Sequence, residues 1–280
     1  MDMDREGLAA PRCRIGEMIA ADMERERSRA RDDERLRHCD DEIPPEVSAD
    51  SEWRVGATAI EKDMTRMRHD FAFWCRKCVK IRDKRTGQYV PFVLNRPQRK
   101  AMAVMEEQRR RGEPIRIVML KARQWGGSTL IQMYMAWIQI IHRENWHSFI
   151  CAHVKDTSAT IRGMYSRMLG NYPTEYWPCE EPPQFNSYER SLNTRVISGR
   201  DCRVTLGSCE SQEAARGNDI AMAHLSEVAF WRDTNQRSPE DFIRSVCSGI
   251  PLEPLTVIAL ESIGHKTKRI DWGVVDCGGC

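Results

Sequence analysis

The sequence predicts an α/β domain, a mostly parallel sheet with helices on both faces, preceded by a charged helical arm. Three observations predict it. Residues 115–132 (IRIVMLKARQWGGSTLIQ) run a short apolar segment rich in β-branched side chains into two adjacent glycines and then into a helical pattern, a strand, a turn and a helix in succession. A second unit follows, with an apolar run at 147–153 (HSFICAH) and a helix-length segment at 157–169, so strands and helices alternate as in parallel βαβ units with right-handed crossovers. Two later apolar runs, 220–225 (IAMAHL) and 256–260 (TVIAL), end in polar pairs, Ser226-Glu227 and Glu261-Ser262.

Composition bounds the class. The 280 residues are 41% hydrophobic and 30% charged, which excludes disorder throughout and is enough chain to bury a core. No apolar run approaches the roughly 20 residues of a transmembrane helix, and the N-terminal stretch MDMDREGLAA lacks the basic and apolar regions of a signal peptide, so a cytoplasmic protein with no membrane partner is expected. Net charge is +2, but residues 1–50 carry 15 acidic and 9 basic side chains, leaving +8 on the remainder. A moderately basic body fits a nucleic-acid partner and equally fits a solvated mixed surface. The odd count of 11 cysteines argues against a closed disulfide framework. Two CxxC pairs, Cys75/Cys78 and Cys277/Cys280, have the residues for a four-thiolate zinc site, but nearly 200 residues separate them, far outside zinc-ribbon spacing.

In chain order, residues 1–50 alternate Arg with Asp and Glu and hold few large apolar residues, as in a charged helix or solvated arm, with residues 51–280 as the domain proper. Over 53–79, Ile60, Met64, Met67, Phe71, Trp74 and Cys78 recur at three- and four-residue intervals, which predicts one amphipathic helix with an aromatic core stripe. Thr86-Gly87 marks a turn between 79–81 and 89–94, a short hairpin. Asn95 caps a helix that runs to Arg111 and stops at Gly112. The run 115–120 reads as a strand covered on both faces. Gly126 and Gly127 make the turn, and Ser128 and Thr129 supply N-cap chemistry for a helix through Trp137 and Ile141. Residues 171–191, with Pro173, Pro178, Pro182 and Pro183, read as a long loop, and 195–197 with 202–206 as two strands about the turn at 198–201.

The glycine turn carries the chemistry. A strand end, a turn and a helix start aim backbone N–H groups and the helix dipole at one spot, an anion site. Against the phosphate-binding pattern G-x-x-x-x-G-K-(S/T), residues 121–128 match at Gly126 and Ser128. Lys121 stands where the first glycine belongs and Gly127 where the lysine belongs. A lysine at the strand end reaches back over the loop to the phosphates, and Ser128 stays available to Mg²⁺. An ordinary strand-turn-helix without nucleotide fits the bare pattern equally well.

Residues 121–129 (KARQWGGST) resemble the deviant phosphate loop of the large terminase subunits of tailed bacteriophages, ATPases that pump DNA into capsids. The motifs around it agree in order and spacing: 90–98 (VPFVLNRPQ), 214–217 (AARG), 224–231 (HLSEVAFW) and 259–262 (ALES). The resemblance implies a P-loop, RecA-like ATPase domain that uses ATP and Mg²⁺. Nucleotide would be held by Gln98, which would read adenine, and by Lys121, Arg123, Gln124, Trp125, Gly126, Gly127, Ser128 and Thr129. The strand at 220–225 takes the place of the second ATPase motif, where an Asp normally holds Mg²⁺ and a Glu polarises the attacking water. Here Ser226 replaces the Asp, a weaker, neutral partner acting through water, and Glu227 keeps the position of the general base. Arg216 and Arg123 compete as the arginine that stabilises transition-state charge, with an ion pair to Asp219 the structural alternative for Arg216. Ser262 stands where the third motif couples hydrolysis to movement, although Ile263 follows where the family usually has threonine.

The partners the resemblance implies are double-stranded DNA, a portal protein, a small terminase subunit and like subunits in a ring. Terminases continue into a nuclease domain of clustered carboxylates. Asp271 and Asp276 are the acidic residues left near Cys280, so no nuclease activity is expected of this chain. A helicase-like translocase would need a second domain of the same type, for which the chain lacks room. A non-catalytic remnant that binds DNA or a capsid partner is the other alternative, favoured by Ser226.

Overall fold

The computed structural model describes Glu24 and residues 42–83, 86–152, 155–208, 219–232 and 238–263, without the side chains of 152–158. The chain divides into two units, residues 1–42 and 43–280. The charged arm expected at 1–50 falls largely outside the described residues, as do Arg216, the motif at 214–217 and the Cys277/Cys280 pair. The stretch that ends the expected arm belongs to the second unit, where α1 (Pro45–Ala49) buries Val47.

The single helix expected over 53–79 is two helices. The first, α2 (Ala59–His69), opens with a capping box in which the Thr58 hydroxyl accepts the Glu61 N–H and the Glu61 carboxylate accepts the Thr58 N–H. Asp70 then leaves the helical region at φ −128° and caps the second, α3 (Phe71–Cys78), by accepting the Phe73 N–H at 2.9 Å. A side chain suited to capping breaks a pattern that periodicity alone carries through. The stripe is core as expected, with Met67, Phe71, Trp74 and Cys78 buried, whereas Ile60 is exposed. Cys78 packs its sulfur 3.8 Å from that of Met67, and burial pushes its thiol up to about 12, so it acts as a small apolar group. The hairpin β1 (Lys80–Arg82) and β2 (Tyr89–Pro91) is antiparallel, and α4 (Arg96–Arg110) starts at Asn95.

The main sheet holds seven strands in the order β3-β9-β8-β4-β7-β6-β5: β3 (Ile115–Lys121), β4 (Ser148–Ala152), β5 (Phe185–Tyr188), β6 (Ser191–Ile197), β7 (Cys202–Ser208), β8 (Met222–Ser226) and β9 (Val257–Ile263). From β3 to β7 neighbours run parallel, and β7, β6 and β5 run antiparallel. The strand β5 was expected to be loop. Its FNSY sequence is polar and half exposed at the sheet edge, so it carries no apolar alternation to announce it.

Period-two alternation sorts the sheet into two cores. Ile150, Met222, Val257 and Ala259 pack with α3, α5 (Gly127–Trp137) and α6 (Lys155–Gly170), while Phe149, Cys151, Ala223, Leu225, Ile258 and Leu260 pack with α7 (Pro239–Ser248) and Trp231. This is the expected mostly parallel sheet with helices on both faces. The strand expected to be covered on both faces, β3, is instead the edge strand. Ile115, Ile117 and Met119 join the first core, but Val118 and Leu120 on the opposite face are 60% and 72% exposed.

Candidate nucleotide-binding site

Three parallel strands, β3, β9 and β8, end on the same side of the sheet, and their polar ends make the site. Register decides which residues meet: Glu261 on β9 lies opposite Met119 on one side and Ser226 on the other, and Ser262 lies opposite Leu120. A parallel ladder spaces such partners about 4.8 Å apart with their side chains on one face.

The loop after β3 is held from behind. Gly126 adopts φ +82°, a conformation only glycine enters freely, and α5 begins at Gly127. Ser128 and Thr129 are therefore inside the helix rather than capping it, and the helix start has no side-chain cap, which leaves its N–H groups for a ligand. Asn95 Nδ2 donates to the Trp125 carbonyl at 3.0 Å and Gln98 Nε2 to the Gly126 carbonyl at 3.0 Å. Gln98, 3% exposed, also accepts the Asn95 N–H at 2.9 Å through Oε1, so both ends of the amide expected to read adenine bond to the protein itself. A Cβ at Gly127 would lie 2.8 Å from the Trp125 ring and 3.3 Å from Glu261 Oε2. Where the ordinary pattern places lysine, this fold has room only for glycine.

The lysine comes from the strand end instead. Lys121 Nζ donates to Ser128 Oγ at 2.9 Å and lies 2.9 Å from Glu261 Oε2 and 3.3 Å from Glu227 Oε1. Ser128 Oγ in turn donates to Glu261 Oε1 at 2.5 Å, and Ser226 Oγ donates to the same oxygen at 2.9 Å. Glu261 is fully buried. Burial alone would raise its pKa, but His224, Lys121 and the Ser128 hydrogen bond outweigh that and hold it down to about 2. His224 Nε2 approaches Glu261 Oε1 at 3.1 Å without hydrogen-bond geometry, and neither ring nitrogen of this buried histidine makes a hydrogen bond.

Glu227 follows Ser226 at φ +57°, an uncommon conformation for a non-glycine residue and a form of strain that concentrates at functional positions. Its carboxylate accepts the Ile263 N–H at 3.2 Å through Oε2, and Ser262 Oγ accepts the Ala229 N–H at 3.2 Å. Residues 262 and 263 thus grip the segment that carries Glu227. Lys121, Arg123, Gln124, Glu227, Phe230 and Ile263 line a cavity of about 400 Å³ in front of the cluster.

The structure therefore gathers Lys121, Ser128, Ser226, Glu227 and Ser262 into one constellation, with Arg123 and Gln124 at its mouth and Thr129 half-buried in the first turn of α5. Gln98, Trp125, Gly126 and Gly127 form the rear of the loop. Arg216 lies outside the described residues. Sequence reasoning missed Glu261, His224 and Asn95 as site residues. For Glu261 the signal was present, a carboxylate closing an apolar strand, but its meaning depended on which strand lies beside it.

Among the described residues no three His, Cys, Asp or Glu side chains form a metal cage of their own. The oxygen donors present, two serine hydroxyls and two carboxylates, are those of a site that takes Mg²⁺ together with substrate phosphates. Glu261 Oε2, buried and without a hydrogen bond, fits a cation at this point.

No protein-family model and no curated sequence matches the chain. Among solved structures it is similar to the large terminase of bacteriophage HK97, with a TM-score of 0.52 at 17% identity over 70% of this chain and 37% of that one. A mutant ATPase domain of the Thermus phage P74-26 large terminase aligns at 17% identity, with a TM-score of 0.38, over 60% of this chain and 66% of that one. The region matched is thus little more than a third of the HK97 protein. Over that region the resemblance stated from the motifs holds at the level of fold: the chain is similar in fold to the matched part of the HK97 large terminase.

Proposed function

We propose that this chain is the ATPase motor part of a phage large terminase, coupling ATP hydrolysis to translocation of double-stranded DNA into a procapsid. The observation that carries the proposal is the convergence of Lys121, Ser128 and Glu227 at the carboxyl ends of parallel strands, in front of an uncapped helix start.

In this reading Lys121 and the backbone N–H groups of residues 126–128 hold the β- and γ-phosphates. Ser128 holds Mg²⁺, with Ser226 acting through water. A Mg²⁺ ion held there would supply positive charge to offset that of the phosphates. Glu227 orients the attacking water in the cavity and takes its proton on the carboxylate. Lys121 touches both the phosphate seat and Glu227, so the base is fixed relative to the bond it attacks. Arg123 at the cavity mouth, or Arg216, supplies transition-state charge. Ser262 couples hydrolysis to movement through its bond to the segment after Glu227. Portal protein, small terminase subunit, like subunits in a ring and a host-cytoplasm location complete the proposal.

The test is ATP-analogue binding and phosphate release by the purified chain. Lys121→Ala is expected to weaken nucleotide binding about 100-fold, equivalent to about 2.7 kcal/mol. Glu227→Ala is expected to bind normally and lose roughly 10²–10⁴-fold in turnover. A wild-type chain that binds no nucleotide would favour the non-catalytic remnant, which the missing carboxylate at Ser226 supports.

A further inference from the structure

An ordinary P-loop site pairs its loop hydroxyl with an aspartate on the neighbouring strand, and the two hold Mg²⁺ together. Here the strand position holds Ser226, and the partner of the loop hydroxyl is elsewhere. Ser128 donates to Glu261, whose backbone lies directly beside that of Ser226 on the next strand. Ser226 itself donates to Glu261, so the side chain that lacks the charge orients the one that has it. The shift is one ladder spacing, about 4.8 Å. Because β9 lies between β3 and β8, Glu261 meets the loop hydroxyl directly.

We propose that Glu261 supplies the carboxylate of the magnesium site, one strand away from where the common pattern places it. The inference rests on the nucleotide-binding reading above. A charge argument carries it further than the contact. Among the described residues, the cation nearest Glu261 Oε2 is Lys121, at 2.9 Å, and Lys121 is the group that must turn to the phosphates when nucleotide enters. Glu261 is fully buried, and its Oε2 makes no hydrogen bond. With Lys121 turned away, Oε2 would lose its ion-pair partner and only His224, 3.1 Å from Oε1, would remain beside the buried charge, which is strongly unfavourable. The divalent ion that arrives with the nucleotide, next to Ser128, replaces what Lys121 gives up. Nucleotide and metal would then bind together, because each removes the cost that the other creates.

The test moves the carboxylate back. Mn²⁺ replaces Mg²⁺ as the probe, and its affinity for the protein–nucleotide complex is read by electron paramagnetic resonance, beside metal-free nucleotide affinity from a fluorescent ATP analogue in chelator. Glu261→Gln is expected to weaken Mn²⁺ binding at least tenfold and, because a neutral amide leaves no charge stranded when Lys121 turns to the phosphates, to tighten metal-free nucleotide affinity several-fold. Adding Ser226→Asp to Glu261→Gln is expected to restore most of the lost Mn²⁺ affinity. Unchanged Mn²⁺ binding in Glu261→Gln, or a folded double variant as weak as the single one, overturns the proposal. If Glu261→Gln does not fold, Ser226→Asp alone decides: a second carboxylate facing the same ion raises Mn²⁺ affinity several-fold, and an unchanged or lower affinity overturns the proposal. Failure of the wild type to bind nucleotide when the metal is present is a different result, and refutes the motor reading instead.

Discussion

Two carboxylates are buried among the described residues, and they are finished to different degrees. Glu106 on α4 is 3% exposed. Its Oε1 accepts from Tyr134 at 2.6 Å and Arg109 Nε at 2.9 Å, and its Oε2 from Arg109 at 2.8 Å. Arg109 in turn lies over the Trp137 ring at 5.3 Å. Every oxygen has a donor and the cation is bidentate, which is how a buried charge becomes scaffold. Glu261 crowds its donors onto Oε1 and leaves Oε2 facing a single lysine that the proposed chemistry needs elsewhere. The contrast separates a charge that holds the fold from a charge that waits for a ligand.

The largest effect that would sharpen this contrast is at the finished site. Glu106→Ala strands Arg109 in the interior and is expected to remove about 3–5 kcal/mol of unfolding free energy in urea, while nucleotide affinity of the folded protein stays within about twofold. A loss below about 1 kcal/mol would erase the distinction. The next is acid stability. Glu261 is held down to about 2 from an ordinary value of 4.5, so its folded form stays ionised where the unfolded chain takes a proton. The stability it contributes is complete above pH 4.5 and is lost as the pH falls toward 2. Urea midpoints of the wild type are therefore expected to fall more steeply across that interval than those of Glu261→Gln, and parallel curves would remove Glu261 from the ionised cluster. The smallest is behind the loop. Asn95→Ala removes a helix cap and the Trp125 tether, and is expected to cost about 1 kcal/mol in stability with a several-fold weaker nucleotide affinity. Unchanged affinity would mean that the loop keeps its shape without the tether.

What the sequence made legible was local. The strand, glycine turn and helix at 115–137, the Asn95 cap and the hairpin at 80–91 all follow from residues within a few positions of one another, and they stand in the structure close to where they were expected. Elements that depend on a neighbour were not legible. The exposure of Val118 and Leu120 comes from the edge position of β3, and β5 exists because β6 is there to pair with it. The break at Asp70 was visible as a residue type but was outvoted by the apolar period. Glu261 was the costliest omission. Its role depends on the order β3-β9-β8, and a one-dimensional pattern sees Ser226 without the carboxylate beside it.

The helix behind the loop, α5, is buried from Leu130 through Trp137, with no outer face along that stretch. Interiors packed this densely do not slide in small increments. In the proposed motor, a push delivered at Ser128 would therefore meet a fixed anvil, and displacement would pass to a strained bend beside it. That bend is at Glu227, coupled to β9 through Ser262 and Ile263, and it would serve as the escapement of the machine while α5 serves as its frame.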